Sequence, residues 1–223
     1  MTAAKLLAEV QRRAGRIDDS AQTLQAAAQR FDDPHSLASA AVTLFQAGRT
    51  DEARDAAIQA LAVTPVDSPD RYMLRRLLCD EAGQRHDWPA AEQQARAMLD
   101  EGVIDPEARW RLTLALSNQG RVEEAWTILR QMPPLGATNQ QQARLWLALH
   151  GRFASDAGTV EQALELLGRY DQSEEFAAAA ITTIIIMTRN ATLPEPTVAR
   201  MQQATNTFFE RFPSSVLLQP HHG

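Results

Sequence analysis

Cysteine is nearly absent from this sequence, because Cys79 is the only one among its 223 residues. One thiol can form neither an internal disulfide nor a metal site made of several cysteines. A chain without a disulfide framework fits a reducing compartment, and we therefore expect a cytoplasmic protein. The first ten residues also lack the long apolar core of a secretory signal peptide, since Glu9 interrupts them.

Signals for strands, membrane spans and polyanion binding are scarce as well. The sequence has two tyrosines and few runs of valine, isoleucine and threonine, which strands favour. Its longest apolar run, residues 176–187, contains two threonines and is too short to cross a bilayer. The net charge is −6 and the pI is about 5.4. Such an acidic chain repels phosphate groups, so we expect neither a nucleic acid nor a membrane as its partner.

Helix-forming residues in a repeated pattern make up most of what is present. Alanine, leucine and glutamine are abundant, and hydrophobic residues reach 44%. Segments 4–34, 36–65 and 109–133 each read as a helix, then Gly-Arg-x-Asp/Glu-Asp/Glu-Ala/Ser, then a second helix. The turn positions recur at intervals of 33, 38, 34 and 38 residues, and they hold Gly15, Gly48, His86, Gly120 and Gly158.

A small residue follows each turn by five positions. These residues are Ser20, Ala53, Ala91, Ala125 and Ala163. Two antiparallel helices approach closely just after their turn, and only a side chain about the size of alanine permits that approach. Matching slots recur in the first helices at Ala8, Ala41, Cys79, Thr113 and Gly151, and in the second helices at Leu24, Ala57, Ala95, Leu129 and Leu167.

The spacing and the turns resemble the tetratricopeptide repeat (TPR) family, whose unit is a helix–turn–helix of about 34 residues. The resemblance implies an all-α superhelical solenoid, with five hairpins over residues 1–171, a degenerate capping hairpin over 172–213 and a tail over 214–223. A non-repeating helical bundle is the alternative fold. The chain departs from the family pattern where His86 replaces a turn glycine. It also departs at the usual tryptophan slot, which holds Leu37, Arg75, Arg109 and Leu147.

Recognisable catalytic motifs are missing from the chain. It contains no Gly-x-x-x-x-Gly-Lys-Ser/Thr, no Gly-x-Gly-x-x-Gly and no Gly-x-Ser-x-Gly. Acidic pairs at the start of second helices, such as Asp51-Glu52, are explained by the positive end of the helix dipole. We expect Cys79 to be buried and inert, His150 to be packed in the core, and His221-His222 to belong to a tail. We therefore expect no enzyme activity, no cofactor and no metal site.

The resemblance also implies a concave groove lined by first helices, in which repeat proteins bind a peptide or helix of another protein. Phe45 and Trp110 are the expected apolar anchors, although a core position for Trp110 is an equal alternative. Arg76 and Arg152 are the expected carboxylate contacts. The expected groove residues are Lys5, Glu9, Arg12, His35, Val42, Phe45, Arg76, Asp80, Trp110, Leu114, Asn118, Arg152 and Ser155.

A protein-interaction scaffold is the leading functional hypothesis. Glu9 and Ser39 stand where chaperone-binding TPR domains have asparagine, so we do not expect binding of a chaperone's terminal carboxylate. An alternative is an accessory or sensor region of a larger bacterial enzyme or regulator whose active domain lies outside this chain. Self-association through exposed terminal repeats is also open. A helical enzyme would require a deep pocket with convergent titratable groups.

Overall fold

The computed structural model describes residues 3–31, 33–102, 106–132, 137, 139–154, 156–189, 192–215 and 217–218, and every regular element within them is a helix. The helices are α1 (Ala3–Arg13), α2 (Ile17–Phe31), α3 (Pro34–Gln46), α4 (Thr50–Val63), α5 (Pro69–Gln84), α6 (Trp88–Asp100), α7 (Pro106–Asn118), α8 (Val122–Leu129), α9 (Gln140–Phe153), α10 (Ala157–Tyr170), α11 (Glu174–Thr188) and α12 (Glu195–Arg211). The all-α prediction is confirmed. None of these described helices combines the length and apolar character needed to cross a bilayer.

Two compact units divide the chain between Gly120 and Arg121. Unit 1 contains α1 to α7, and unit 2 contains α8 to α12. The boundary falls in the turn of the fourth expected repeat, so its two helices belong to different units. The last pair, α11 and α12, matches the expected final hairpin in position, and its capping role stays a prediction. His221-His222 of the expected tail lies outside the described residues.

Left-handed backbone conformations mark the expected turns of the first four repeats. Gly15, Gly48 and Gly120 have φ angles of 74°, 77° and 75°. No atom lies within 4 Å of the position that a Cβ would occupy on any of the three. Glycine is therefore favoured here by backbone conformation and not by crowding. His86 adopts the same region with φ of 59°, at a conformational cost of about 1 kcal/mol for a non-glycine residue.

The fifth expected turn is wrong in its details. Gly158 lies inside α10, and it is not among the glycines with a positive φ. Asp156 caps this helix: its carboxylate accepts hydrogen bonds from the Thr159 amide at 2.9 Å and from the Thr159 hydroxyl at 2.6 Å. Because that cap starts the helix before Gly158, the glycine is not needed to reverse the chain.

The small residues after the turns pack as the spacing predicts. Ser20, Ala53, Ala91, Ala125 and Ala163 are each at most 2% exposed. The contacts link these positions to the small slots of the first helices. The Ser20 hydroxyl donates to the Ala8 carbonyl at 2.8 Å. The Cys79 thiol donates to the Ala91 carbonyl at 3.4 Å.

The prediction of a buried Cys79 is confirmed as well. Its side chain is 4% exposed, and burial raises the pKa of the thiol to about 12. A thiol with such a pKa has almost no thiolate at neutral pH, and the thiolate is the reactive form.

An ion-pair cluster explains why Arg75 occupies a slot that usually holds tryptophan. Arg75 and Arg71 donate to the Glu101 carboxylate at 2.6 and 2.7 Å, and the three side chains are 13–18% exposed. Arg71 also donates to the carbonyls of Leu61 and Thr64 at 3.1 Å, near the end of α4. The cluster therefore joins the ends of α4 and α6 to α5.

Candidate partner-binding groove

An open groove of about 800 Å³ lies in unit 1 and is lined mainly by α1, α3 and α5. These are the first helices of three of the five hairpins from which the groove was expected. Five of the expected residues line it together: Lys5, Glu9, Arg12, His35 and Val42.

The floor of the groove is apolar. Ala8 and Leu24 are 3% and 5% exposed and form its deepest part. Val42 and Met73 are half-buried and present part of their side chains to the open space. Partly exposed apolar side chains in a concavity lose water when a ligand covers them, which is the main source of binding free energy at such surfaces.

Charged side chains on the rim are already paired with one another. The Lys5 ammonium lies 3.1 Å from the Asp33 carboxylate. The His35 Nδ1 lies 2.8 Å from an oxygen of Asp70. Each pair joins residues that are distant in the sequence, so the pairs fix the positions of α1, α3 and α5 around the groove. Each of these two carboxylates therefore lies against a nitrogen group of another side chain.

Glu9 stays ionised despite lying beside the apolar floor. Hydrogen bonds from Arg13 at 2.6 Å and from Arg12 at 2.9 Å lower the pKa of its carboxyl. The pKa of Asp33 is also lowered: burial alone would raise it, but hydrogen bonds from Ser36 and Lys5 outweigh that effect. Two carboxylates near this groove are therefore negative at neutral pH, and each is paired with a basic side chain.

Two expected anchors, Trp110 and Phe45, do not line the groove. Trp110 is only 3% exposed, so the structure corresponds to the core alternative for this residue. Phe45 is half-buried and packs against the hydrophobic core of unit 1, and it is not among the residues that line the groove. Val42 and Met73 pack against the same core but do line the groove.

The remaining expected residues are distributed over both units. Asp80 accepts hydrogen bonds from Arg111 at 2.9 and 3.2 Å, so its carboxylate is engaged within the chain. Arg76 is exposed on α5. On α7, Leu114 is half-buried and Asn118 is exposed. Their roles stay predictions.

Two of the expected groove residues, Arg152 and Ser155, belong to unit 2. Arg152 is exposed, with its guanidinium 5.3 Å from the centre of the Phe153 ring and 3.5 Å from Glu123. Ser155 lies outside the described residues. A carboxylate-binding role for Arg152 stays a prediction.

Met73 and Asp70 line the groove but were absent from the expected set. Met73 follows His35 by 38 residues, which equals the interval between the turns at Gly48 and His86. The repeat spacing therefore carried a signal for Met73. Asp70 lies next to the irregular insertion around residues 65–69, where the repeat spacing fails, and no periodic signal locates it.

Unit 2 contains a cluster of stacked rings around His150. The imidazole stacks on Trp146 with ring centres 3.6 Å apart, and Trp126 meets its edge at 4.7 Å. Trp126 also stacks on Phe153 at 5.6 Å. Burial lowers the pKa of His150 to about 4, although a hydrogen bond to the Trp146 carbonyl and the charge of Asp156 oppose the shift. The ring is therefore neutral at physiological pH and serves as packing, in line with its expected core position.

Comparisons with known proteins identify the fold. YrrB, described as a TPR protein with an unusual peptide-binding site, matches 88% of this chain and 96% of its own at 11% identity, with a TM-score of 0.67. PilW, described as a widely conserved type IV pilus biogenesis factor, matches 97% and 95% at 13% identity, with a TM-score of 0.60. A chain in the structure of the APC/C hetero-tetramer Cut9–Hcn1 matches 96% of this chain over 40% of its own length. The identity is 9% and the TM-score is 0.55.

The chain has the fold of TPR proteins, which confirms the expected helical-repeat architecture. The identities of 9–13% establish the fold and nothing more specific. No family model matches the sequence. No curated protein matches it at a significant level either.

Proposed function

We propose that this chain is a non-catalytic protein-interaction module that binds a peptide segment of a partner in the groove of unit 1. The observation that carries this proposal is the open space of about 800 Å³ above the apolar floor. That volume falls in the range of about 300–1,000 Å³ that is typical of ligand sites. The groove runs across three separate helices, so it offers an extended surface rather than a single catalytic point.

The charges around the groove indicate what kind of segment it binds. Arg12 and Arg13 are engaged with ionised Glu9, and Lys5 is engaged with ionised Asp33. These cations are therefore not free to hold a terminal carboxylate, whereas an internal segment needs no such cation. Val42 and Met73 offer apolar surface to a bulky side chain from that segment. We therefore assign the groove to an internal segment with at least one large apolar residue. The peptide-binding site mentioned in the description of YrrB supports this class of ligand.

A display selection tests the proposal directly. Random peptides are selected on the full chain, and the affinity of each selected peptide is measured for wild type, Val42→Arg and Ile58→Arg. Val42→Arg places a charge on the apolar floor and is expected to weaken binding at least tenfold, about 1.4 kcal/mol. Ile58 is 54% exposed on α4 and does not line the groove, so Ile58→Arg is the matched control and keeps wild-type affinity.

The outcome is decisive when both variants retain wild-type circular dichroism. Equal affinity of selected peptides for wild type and Val42→Arg would remove the groove from the account. Failure to select any peptide above background would have the same consequence.

Self-association is a second proposal, supported by the apolar face of α1. Leu6, Leu7 and Val10 are 55%, 49% and 60% exposed on this helix. Contact between two copies would remove part of that face from water. Analytical ultracentrifugation tests the idea: a concentration-dependent dimer is expected for wild type and a monomer for Val10→Glu. A monomeric wild type at all concentrations would refute it.

A further inference from the structure

A second cavity lies in unit 2, between α10, α11 and α12, and encloses about 200 Å³. None of its lining residues belongs to the groove of unit 1. Helices α10 and α12 are both second helices of their hairpins, whereas the groove is lined mainly by first helices. The proposed function therefore leaves this cavity without a role.

Ion pairs join α10 and α12 at both ends of the cavity. Arg200 pairs with Glu161 at one end. Arg211 pairs with Asp171 at 2.7 Å at the other end. Arg200 and Arg211 are eleven residues apart, which is roughly 16 Å along a helix. These pairs limit the length of the cavity and satisfy the charges next to it.

Small residues in the middle of the cavity keep it open. Gly168 on α10 lines the cavity, and no atom lies within 4 Å of the position that its Cβ would take. Ala204 lines the cavity from α12. Helices that pack through larger side chains would fill this volume, since protein interiors are normally close-packed.

The lining combines an apolar floor with polar groups at the mouth. Leu167, Ile181 and Phe208 are 3–5% exposed and form the floor. Gln203 and Thr207 lie at the exposed mouth on α12. No hydrogen bond within the described part of the chain engages either side chain. The cavity therefore offers apolar walls and one or two free hydrogen-bonding groups.

We propose that this cavity, the unit 2 pocket, binds a single tryptophan or tyrosine side chain of a protein partner. Its volume is below the range of about 300–1,000 Å³ for small-molecule sites and suits one aromatic side chain. The paired ends favour an uncharged group over an ionised one. The polar edge of tryptophan or tyrosine donates to Gln203 or Thr207 while the ring covers the floor, which is the usual preference of these residues when they are buried.

Neutral amino-acid amides test the pocket without knowledge of the partner. The full chain is titrated with N-acetyl-tryptophanamide and followed by the backbone amide signals in nuclear magnetic resonance spectra. Saturable shifts are expected at Gly168 and Ala204, with a dissociation constant in the millimolar range. Ala204→Leu fills the cavity and is expected to weaken binding at least tenfold. Ala199→Leu makes the same change at an exposed position of α12 outside the pocket and is expected to leave binding unchanged.

Two further variants keep the test decisive if Ala204→Leu does not fold. Gly168→Leu fills the same space from α10 and is expected to abolish binding as well. Gln203→Met removes a hydrogen-bonding group, so it is expected to weaken N-acetyl-tryptophanamide several-fold and leave N-acetyl-phenylalaninamide unaffected. The proposal is overturned if no saturable shifts appear. It is also overturned if filling variants bind as well as wild type, or if N-acetyl-leucinamide binds as well as the tryptophan amide.

Discussion

Acidification from pH 6.5 to pH 4 is expected to destabilise unit 2 through His150. Burial among Trp126, Trp146 and neighbouring groups lowers the pKa of this histidine from 6.5 to about 4. The unfolded chain therefore binds a proton over this range that the folded chain does not bind, and stability rises with pH. The contribution of the neutral His150 to the free energy of unfolding is fully present above pH 6.5, and it is lost as the pH falls towards 4.

The structure sets the size of this effect. The shift corresponds to about 3 kcal/mol for a fully enclosed ring. The His150 ring is partly exposed, so solvent screening reduces the expected loss to about 2 kcal/mol. For a chain of this length that loss lowers the melting temperature by about 6 °C.

Urea unfolding from pH 4 to pH 7, followed by tryptophan fluorescence, measures the effect. His150→Phe keeps an aromatic ring in the stack and cannot titrate, so its stability is expected to vary less with pH by about 2 kcal/mol. Subtracting the unfolding free energies of wild type and His150→Phe at each pH cancels the pH dependence that comes from the carboxylates, which both proteins share. Identical pH profiles for wild type and His150→Phe would refute the assigned burial.

Two other substitutions test the packing. The Cβ of Gly151→Ala would lie 2.6 Å from the Thr183 Cγ2, so the variant is expected to lose about 1 kcal/mol of stability. In a Thr183→Ser background the same change is expected to be neutral or stabilising. Thermal unfolding of wild type, the two single variants and the double variant checks this. Equal effects of Gly151→Ala in both backgrounds would contradict the close approach of α9 and α11. Glu101→Gln leaves Arg71 and Arg75 facing a neutral group and is expected to cost about 2 kcal/mol in urea unfolding at pH 7. Hydrogen bonds from Arg75 and Arg71 outweigh burial and lower the pKa of Glu101, so wild type should approach the variant's stability as the pH falls through that pKa; a constant difference down to pH 2 would contradict this.

The repeat fold was predictable because its physical requirements act on single residues at fixed intervals. A left-handed turn favours glycine at positions such as Gly48, and close helix packing needs a small residue at positions such as Ala53. Gly158 misled the prediction because an Asp156 cap can start a helix as effectively as a glycine turn can end one. Both solutions are compatible with the same spacing.

The site was less predictable than the fold. A residue's position in the repeat indicates which way its side chain points, but it does not indicate whether that side chain is exposed. On α7, buried residues occur at Trp110, Leu112 and Thr113, which do not share one face. A position that opens to a groove in other repeats can therefore be enclosed here. The rim pairs, such as Lys5 with Asp33, join helices whose relative placement depends on packing. No local pattern in the sequence identifies such pairs.

The groove assignment is tested most directly by a selected peptide that carries a nitroxide spin label. The label broadens the amide signals of nearby residues, and the effect falls steeply with distance. The account predicts the strongest broadening on α1, α3 and α5, around Glu9, Val42 and Met73. Strongest broadening on the outer face of α4 around Ile58, or in unit 2, would contradict it.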